Sequence, residues 1–593
     1  PKKEPKTSLD VSDSEFKRTD WIIAGIFLAF ATWMMFQTLT IGDGVLKIGH
    51  HQNADFGSTL SIMQSFAEGH NFPTQYTHFT GERIRYHFLF YFLAGNLEFL
   101  GFSPVVANNV LSIFSLTSLL ILVMTFGSVL FNSRVAGRIG AGLFFAHGSL
   151  SFIPFLLSQP SFSALLNELN SMTKFLTGLR DSSGDPYRGE DWGVWSLNVY
   201  LNQRHLASAI AIFLLILIYV VIRLREKFET EPEAADAENL TVEDEDAVED
   251  EDEYEESDED DDEDEDSEDE DDGDEEETDE EEADDAEAAV NGSAAPAKKV
   301  TRQAEAPDIT AYIKKHSVFV FAGVLFGLLP MWNGAIFLGA AVILAALILV
   351  FKPLRRELIT LAVTAAIISL PQIIYLKTGH VKPANYSMFH WGFVIKDAGI
   401  FNVLWWTFYT FGLKWVLLGI AIYFSSGLQR RLLLAVSILL PLTYCFQFSE
   451  EVLANHKFIN LWLVVVNVFC GFAVVKLWAF KAGNSFVPSR VAAVALLVFI
   501  IPGGLLDLMP IRNSDDRNFI KYKYDDNKLI NWVKENTDPK AIFLTDQHIN
   551  HEILLAGRRL FYGNPYYAWG TDYDTEEREK IVKVMFESSD PTQ

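Results

Sequence analysis

Apolar runs of about 20 residues recur along this chain, and they constrain its fold more than any other feature. Hydrophobic residues make up 49% of the 593 residues, and most fall in blocks of the length that a helix needs to cross a bilayer. The runs that we interpret as spans are 21–42, 105–130, 139–157, 197–222, 318–330, 335–351, 358–375, 405–425, 432–446, 458–480 and 491–501 with its continuation. The pattern predicts a polytopic, mainly α-helical membrane protein with about 11 spans.

One acidic segment sets the net charge of −32. Residues 229–287 hold 41 of the 79 acidic residues and no Lys or Arg, whereas the rest of the chain has 47 basic against 38 acidic residues. Such a tract cannot bury enough apolar surface to offset chain entropy, so we predict a disordered cytoplasmic loop over 229–297. A solvated linker is the plainer interpretation, and contact with a basic cytoplasmic partner or with divalent cations is the alternative. We expect no nucleic-acid partner.

The two cysteines offer no disulfide framework and no thiolate metal cluster. Cys445 and Cys470 each lie inside an apolar run, so the redox compartment cannot be inferred from them. The polar opening 1–20 lacks the layout of a signal peptide, and the first span is therefore expected to remain in the mature protein as a membrane helix.

A short apolar run at 86–101, "YHFLFYFLAGNLEFLG", decides the predicted topology. It has only 16 residues and contains His87 and Glu98. If it lies on the outer surface as an interfacial helix, and the basic N-terminus is inside, the five basic clusters between later spans all face the cytoplasm. We therefore predict an N-terminal membrane region, 21–228, with four spans and a long first outer loop, 43–104.

The remainder of the chain is predicted to contain a second membrane region and a tail. Spans 5–11 occupy 298–508, and with an odd number of crossings the segment 509–593 lies outside. In this tail "DNKLINWVKENTD" is typical of an amphipathic helix, "KAIFLTD" of a short strand and "LFYGNPYYAWG" of an aromatic, turn-rich loop. We predict a small extracytoplasmic α/β domain there.

Several ionisable residues collect at the outer ends of the predicted spans. They are Asp55, Arg83, Arg85, the segment "NQRH" with Arg204 and His205, and the segment "NHK" with Lys457. Each has a plainer interpretation, because Arg and Lys anchor helix ends and Asp55 could cap the helix that follows it. His50 and His51 could form a metal site, although adjacent side chains diverge in most backbones. All of these ionisable residues are predicted at the same level of the membrane, and this makes them candidates for a functional site.

An acid surrounded by cations suits glycosyl transfer from a lipid phosphate. The acid accepts a proton from the attacking hydroxyl, while Arg and Lys stabilise the departing phosphate. Asp55 would be the base, and Arg204, His205 and Lys457 would bind phosphate with help from Arg83 and Arg85. Aromatic faces stack on sugar rings, so Arg558, Tyr562 and Trp569 in the tail are the predicted acceptor site.

At this point the sequence resembles the GT-C superfamily of membrane glycosyltransferases, which includes protein O-mannosyltransferases and the aminoarabinose transferases of lipid A. "HHQNADFGSTLSIMQSFAEGHNFP" resembles the acid-bearing first loop of that superfamily, and "GERIRYHFLFYFLAGNLEFLGFSP" resembles its juxtamembrane helix. The segments "YLNQRHLA", "ANHKFINLW" and "LLAGRRLFYGNPYYAWGTDYDTEERE" are similar to those of large bacterial membrane proteins. A GT-C acid is commonly paired with a second acid or followed by His or Tyr, whereas Phe56 and Gly57 follow Asp55.

The resemblance implies a transferase that uses a polyprenyl-phosphate-linked sugar and an acceptor outside the cytoplasm. It implies a bacterial inner membrane with the active site facing outward and contact with membrane lipids. It implies no cofactor, and a divalent metal is compatible with it without being required. Two alternatives remain open: a transporter or lipid flippase, and a non-catalytic assembly protein on a GT-C scaffold.

Overall fold

The computed structural model describes residues 16–173, 175–176, 198–242, 309–379, 386–395, 397–483, 485–512, 516 and 518–588. The chain divides into two compact units, Pro1–Glu229 with His316–Gln593, and Thr230–Lys315. In the second unit the described structure consists of the end of one long helix and a seven-residue helix, Ile309–Lys315.

The first half of the chain is helical apart from one hairpin. Its elements are α1 (Arg18–Thr38), β1 (Leu39–Gly42), β2 (Val45–Gly49), α2 (Asn53–Ala67), α3 (Leu89–Phe99), α4 (Pro104–Phe131), α5 (Arg134–Phe145), α6 (Phe152–Leu157), α7 (Phe162–Ser171), α8 (Asn198–Asn202), α9 (Arg204–Val242) and α10 (Ile309–Lys315). Disorder is predicted over 229–297, but helix α9 continues to Val242 within that segment. The rest of the segment lies outside the described residues. Most of the predicted N-terminal segment, 1–20, also lies outside them.

The second half contains most of the remaining membrane helices and the tail. Its elements are α11 (Ser317–Gly327), α12 (Leu329–Val350), α13 (Arg355–Lys377), α14 (Ile400–Phe411), α15 (Lys414–Phe424), α16 (Gly427–Ser437), α17 (Leu439–Cys445), α18 (His456–Ala479), α19 (Val487–Ile500), α20 (Pro502–Leu506), α21 (Met509–Arg512), β3 (Phe519–Lys523), α22 (Lys528–Asn536), β4 (Ile542–Phe543), α23 (Glu552–Leu555), β5 (Arg559–Leu560), α24 (Pro565–Trp569) and α25 (Thr575–Glu587).

Eight helical stretches in the described residues are long and apolar enough to cross a membrane. A ninth crossing would be the pair α14 and α15, which is bent by 83°. The chain is thus an integral membrane protein of mainly helical fold, and the predicted count of about 11 spans is not confirmed. The difference arises where predicted runs form shorter helices: α5 has 12 residues and α11 has 11.

Helix α18 lies at the centre of the membrane region, and 94% of the residues in its most apolar stretch are buried. Its contact with α5 depends on small residues, because a Cβ on Gly471 would lie 2.5 Å from both Ala136 O and Gly140 N. Close backbone approach of this kind is typical of helix pairs in membranes. The close packing of α18 therefore fixes the position of its first turn, which includes Lys457.

A small antiparallel sheet joins the first outer loop to the tail. Strands β1 and β2 form a hairpin with the two-residue turn Asp43–Gly44, and both turn residues have positive φ, 53° and 73°. Asp-Gly is a preferred sequence for such a turn. Strand β3 pairs with β2 over five residues, from Val45↔Lys523 to Gly49↔Phe519. Residues far apart in sequence are thereby held beside α2.

The tail shares its hydrophobic core with the first outer loop. Buried residues of both segments, such as Phe56, Tyr91, Ile530, Leu555 and Tyr567, belong to one cluster. The predicted amphipathic helix is α22 and the predicted strand contains β4, but a separate tail domain is not confirmed. Because burial on both segments is mutual, each depends on the other for its fold.

Helix α3 corresponds to the predicted interfacial run 86–101. It has 11 residues, so it is only about 17 Å long at 1.5 Å per residue, too short for a hydrocarbon core of about 30 Å. One face is buried against the cluster of the first outer loop, and the other leaves Leu93 and Phe99 exposed. Its position on the outer surface stays a prediction.

Candidate active site

Asp55 lies in the first turn of α2, at the junction between the first outer loop and the membrane helices. The helix begins at Asn53 with Gln52 at its N-cap position, so the alternative of Asp55 as the N-cap is wrong: the helix starts three residues earlier than that alternative requires. The side chain is half-buried. Its Oδ2 accepts a hydrogen bond from Asn202 Nδ2 at 3.0 Å.

The ionisation of Asp55 is set mainly by burial. Removal of water raises the pKa of its carboxyl to about 6, although the hydrogen bond from Asn202 and the charge of Lys457 act in the opposite direction. The charge of Glu451 adds to the rise. Asp55 is therefore mostly ionised at neutral pH, yet it holds a proton far better than an exposed aspartate would.

Asn202, the last residue of α8, fixes the orientation of this carboxylate. Its Nδ2 donates to Asp55 and also to the backbone oxygen of His51 at 3.0 Å. Its Oδ1 accepts from Gln52 Nε2 at 2.9 Å. Both ends of the amide are thus engaged, and within the described part of the chain no group donates to Asp55 Oδ1. That oxygen is therefore the one open to a further hydrogen-bond donor.

Lys457 is the second residue of α18, and its side chain is almost fully buried, with 8% exposed. Among the residues that the structure describes, none forms a hydrogen bond or an ion pair with its Nζ. Its charge acts on Asp55 and on Glu451, which places it in the same site. An ammonium group on a largely buried residue that has no protein partner is suited to an anionic ligand.

Two histidines face each other beside this ammonium group. The rings of His87 and His205 have centroids 4.3 Å apart, and the charge of Lys457 acts on both. Burial, more than the neighbouring charges, lowers the pKa of His87 well below its ordinary value. His205 Nδ1 lies 2.8 Å from the Tyr91 hydroxyl. In the described ranges the Nε2 atoms of both histidines are buried and have no hydrogen-bond partner.

Arg204 is placed deeper than the sequence interpretation assumed. It is 1% exposed, and its guanidinium donates to Leu201 O, Asn109 Oδ1, Met35 O and Thr38 Oγ1. It also lies over the ring of Phe56, 4.9 Å from the centroid. These bonds join α1, α4 and α9 next to α2. A direct contact with phosphate stays a prediction, and it would require some of these bonds to be shared.

Arg83 is exposed and the Arg85 side chain is almost fully buried, and both contact other groups. Arg83 donates to Thr378 Oγ1 at 2.9 Å, and Arg85 donates to Glu82 Oε2 at 3.3 Å and to Asp572 O at 3.1 Å. Arg85 also lies over the Tyr573 ring. Their predicted help in phosphate binding is not tested by these contacts.

The predicted acceptor residues differ in access. Arg558 is buried and donates to Thr537 Oγ1 at 3.1 Å and to several backbone oxygens, among them Glu68 O. Tyr562 is 1% exposed and donates to Glu579 Oε1 at 2.6 Å. Trp569 keeps part of its ring exposed. Of the three, only Trp569 could touch an acceptor without rearrangement; the others hold the loop that carries it.

The tail reaches the Asp55 site through α24. Tyr567 donates from its hydroxyl to Ala54 O, and a Cβ on Gly57 would lie 2.4 Å from that hydroxyl oxygen. Tyr566 donates to Glu451 Oε1 at 2.7 Å and is half exposed. Tyr566 therefore contacts Glu451, whose charge acts on Asp55, and its ring lies 6.2 Å from that of Trp569.

Four of these residues were missed from the sequence as site residues. Asn202 stands in the quoted segment "NQRH", but only its two basic neighbours were selected. Tyr91 lies in an apolar run and Glu451 lies in a loop distant from Asp55 along the chain, so no local signal marks these two. Tyr566 stands in the quoted segment "LFYGNPYYAWG", but only Tyr562 and Trp569 were selected from it. A search of the sequence for charged residues finds Lys457 and Asp55. It does not find the amide and hydroxyl groups that orient the site residues.

The adjacent histidines His50 and His51 show no metal-like arrangement. Their ring centroids are 5.6 Å apart, and His51 Nε2 lies 2.7 Å from Thr173 O. In the described ranges no group of three or more His, Cys, Asp or Glu side chains is placed to hold a metal ion.

Comparison with known proteins gives similarity to solved structures only. No protein-family model matches the chain, and no curated protein matches it. Similar solved structures include the archaeal oligosaccharyltransferase AglB from Archaeoglobus fulgidus in complex with an inhibitory peptide and a dolichol-phosphate, at 12% identity and a TM-score of 0.44, covering 93% of this chain and 65% of that one.

Two further structures of the Archaeoglobus fulgidus oligosaccharyltransferase are similar at 12% identity and a TM-score of 0.42. The match to the apo form covers 92% of this chain and 65% of the oligosaccharyltransferase chain. The match to the form tethered to an acceptor peptide covers 93% and 64%, respectively. The chain thus spans less than two thirds of their length.

Proposed function

We propose that this chain is a membrane glycosyltransferase that moves a sugar from a polyprenyl-phosphate-linked donor to an acceptor outside the cytoplasm. The observation that carries the proposal is that the charges of Asp55 and Lys457 act on each other within one site. Asn202 fixes one carboxylate oxygen of Asp55, and the other has no donor among the described residues. Lys457 is 8% exposed, and the described residues supply no partner for its ammonium group.

Asp55 acts as the general base. Its pKa of about 6 lies close enough to neutral pH for the carboxylate to be ionised and still accept a proton. The acceptor hydroxyl attacks the anomeric carbon of the donor, the bond from that carbon to the phosphate oxygen breaks, and the proton passes to Asp55 Oδ1. The electron pair of the broken bond remains on the phosphate oxygen.

Lys457 and His205 stabilise the departing phosphate. The leaving group gains negative charge as the glycosidic bond breaks, and a preorganised ammonium group in a water-poor site lowers the energy of that state. Arg204 contributes chiefly by holding α1, α4 and α9 around the site. The charge of Arg83, which is exposed, and of Arg85 attracts the anionic donor. Trp569 and its loop receive the acceptor.

The location follows from the fold and from charge. The chain is an integral membrane protein, and the bacterial inner membrane with an outward-facing site fits the distribution of basic loops. In that orientation Asp55, in the segment between α1 and α4, is on the outer side. Membrane lipids and the lipid-linked donor are the expected partners.

Broken helices favour one second candidate, a transporter or lipid flippase. α14 and α15 meet at 83°, and Asn333 interrupts α12 with φ −161° and ψ 100°. Lys414, at the start of α15, is buried and donates to Asn467 Oδ1 at 2.8 Å. Discontinuous helices with a buried ionisable residue are common at transport sites. A flippase would move the lipid without breaking its glycosidic bond.

The test uses the full chain in proteoliposomes charged with a bacterial lipid extract. Bound lipid is identified by mass spectrometry, and release of polyprenyl phosphate is then followed in the presence of an outer-membrane or periplasmic acceptor fraction. Asp55→Asn should retain bound lipid and reduce release by at least about 10²-fold. Asp525→Asn, at an exposed position in the tail, is the matched control and should leave release unchanged.

Two outcomes would contradict the proposal. Transfer by Asp55→Asn at close to the normal rate would leave the reaction without its base. Movement of an intact glycolipid across the bilayer, with no release of polyprenyl phosphate, would establish the transporter instead.

A further inference from the structure

Helix α3 packs closely against α2. A Cβ on Gly95 would lie 2.7 Å from Met63 O and 3.0 Å from Phe66 Cβ, so the two helices are in close contact at this glycine. Glu98 follows Gly95 by three residues and therefore lies on the same face of α3. On α2, Gln64 Nε2 donates a hydrogen bond to Glu98 Oε1 at 2.8 Å. The carboxyl of Glu98 thus meets an amide at the contact between the two helices.

This contact leaves two oxygen atoms without a hydrogen-bond donor. Glu98 Oε2 and Gln64 Oε1 are both buried and have no partner among the residues that the structure describes. An ionised carboxylate can only accept, so it cannot satisfy Gln64 Oε1. A protonated carboxyl has one O–H donor, and it can pair with a primary amide through two hydrogen bonds in one ring. A single proton on Glu98 Oε2 would therefore engage both oxygens.

The charges around Glu98 favour this proton. Burial raises the pKa of its carboxyl to about 7, although the hydrogen bond from Gln64 and the charge of Lys534 act in the opposite direction. The charge of Glu68 adds to the rise. Lys534 Nζ pairs with Glu68 Oε1 at 3.0 Å, so this ammonium group is already engaged by another carboxylate. A second anion at Glu98 would have to share it.

The other ionisable groups near this carboxyl are few. The Tyr524 hydroxyl lies beside Gln64, and burial raises its pKa above the ordinary value, so it keeps its proton. His70 is exposed, and its ring lies 6.2 Å from that of Phe99. On α3 itself the other ionisable residue is Tyr91, two turns away. Helices α4 and α12 also pack against α3, and neither contains an ionisable residue.

We propose that Glu98 is a neutral carboxylic acid in the folded protein up to neutral pH and forms a two-bond ring with Gln64. Gln64 Nε2 donates to Glu98 Oε1, and Glu98 Oε2 donates to Gln64 Oε1. Loss of the proton breaks the second bond and leaves a carboxylate facing the amide oxygen. The ring is a proton-dependent link between α2, which carries Asp55, and α3, which carries Tyr91. It does not depend on the proposed function.

Infrared spectroscopy of the full protein in nanodiscs tests the protonation directly. The spectrum of wild-type protein minus that of Glu98→Gln should contain the carbonyl band of a protonated carboxylic acid at pH 6. The band should disappear with a midpoint at about pH 7. Asp55 is present in both proteins, so its carboxyl cancels in this difference. Glu535→Gln, at an exposed position of α22, is the matched control and should give no such band at pH 6.

Glu98→Gln also reproduces the ring without a titrating group, because two amides form the same two bonds at every pH. The carboxyl of Glu98 holds its proton more tightly in the folded state than at its ordinary pKa of 4.5. Wild-type thermal stability should therefore fall relative to Glu98→Gln as the pH rises from about 4.5 to about 7, and the difference should stay constant above that. Amide hydrogen exchange in α3, corrected for its intrinsic pH dependence, should become at least about tenfold faster in wild-type protein alone.

Two further variants identify the partner of the acid. In Gln64→Leu the carbonyl band should move to higher frequency, because the acid has lost both hydrogen bonds, whereas in Tyr524→Phe the band should keep its position. A band that moves in Tyr524→Phe and stays in place in Gln64→Leu would show that the acid is bonded to Tyr524, and would overturn the ring.

Two other results would also contradict the inference. Absence of the acid band at pH 6 would show that Glu98 is ionised. Melting temperatures of wild-type protein and Glu98→Gln that run parallel from pH 5 to pH 8 would show that the link does not depend on a proton. None of these measurements involves a lipid donor or a transfer reaction, so each outcome leaves the proposed function as it stands.

Discussion

Replacement of Asn202 by Ala should change the pH dependence of transfer more than its maximum rate. The amide donates to Asp55 Oδ2 at 3.0 Å, and this bond opposes the rise that burial causes in the pKa of Asp55. The base form of Asp55 exists above its pKa, so the wild-type rate should fall as the pH drops through about 6. Without the bond the pKa rises further, and the fall begins at higher pH.

The size of the effect follows from the strength of the bond. A hydrogen bond to a charged group contributes about 1.5 kcal/mol, which corresponds to roughly tenfold in proton affinity. The midpoint of the acidic limb should therefore move from about 6 to about 7. At pH 6 the ionised fraction of Asp55 falls from about one half to about one tenth, a loss of roughly fivefold, whereas at pH 8 both proteins are almost fully ionised.

The assay is release of polyprenyl phosphate between pH 5.5 and 8.5, measured in proteoliposomes at saturating donor. Asn536→Ala is the control, because Asn536 is exposed in the tail and donates only to Trp532 O within its own helix. Asn202→Asp gives a second test: a new carboxyl beside Asp55 should move the midpoint still higher. A loss that is equal at every pH would refute the reasoning and leave Asn202 a purely structural residue.

Three further predictions use the same preparations. Asp55→Asn should raise the free energy of unfolding at pH 7 by about 1–2 kcal/mol, after allowance for partial solvent contact. The pKa of Asp55 is about 6 in the folded protein against an ordinary value of 3.8, so the wild-type protein loses stability as the pH rises from 4 to 6. An equal gain in thermal stability at pH 4 and pH 7 would contradict this. Deletion of 243–287 should leave transfer unchanged, because the tract is predicted to face the cytoplasm; lost transfer at normal membrane levels would show a required role. Trp569→Ala should raise the acceptor KM severalfold with little change in kcat, and Trp532→Ala, also in the tail, should not.

Sequence reasoning predicts the membrane class well. Apolar runs identify the helices because bilayer crossing requires about 20 apolar residues in succession, and α1, α4, α9 and α18 all coincide with predicted spans. It fails where a run bends or ends early, since local composition does not distinguish one crossing from a broken helix such as α14 with α15. Strand β3 was also missed: its pairing with β2 depends on contacts between residues more than 400 positions apart.

The site shows a second limit, which concerns hydrogen bonding. Arg204 and Lys457 look alike in sequence, since each is a basic residue at the outer start of an apolar helix. In the structure four protein oxygens accept from Arg204, whereas the described residues supply no acceptor for Lys457. A charge at a given depth therefore indicates that a residue is important, and only the full set of its partners indicates whether it holds the protein together or binds a ligand. By that criterion Asn202, which carries no charge, contributes more directly to the proposed reaction than Arg204, because its amide determines which oxygen of Asp55 is left to accept the proton.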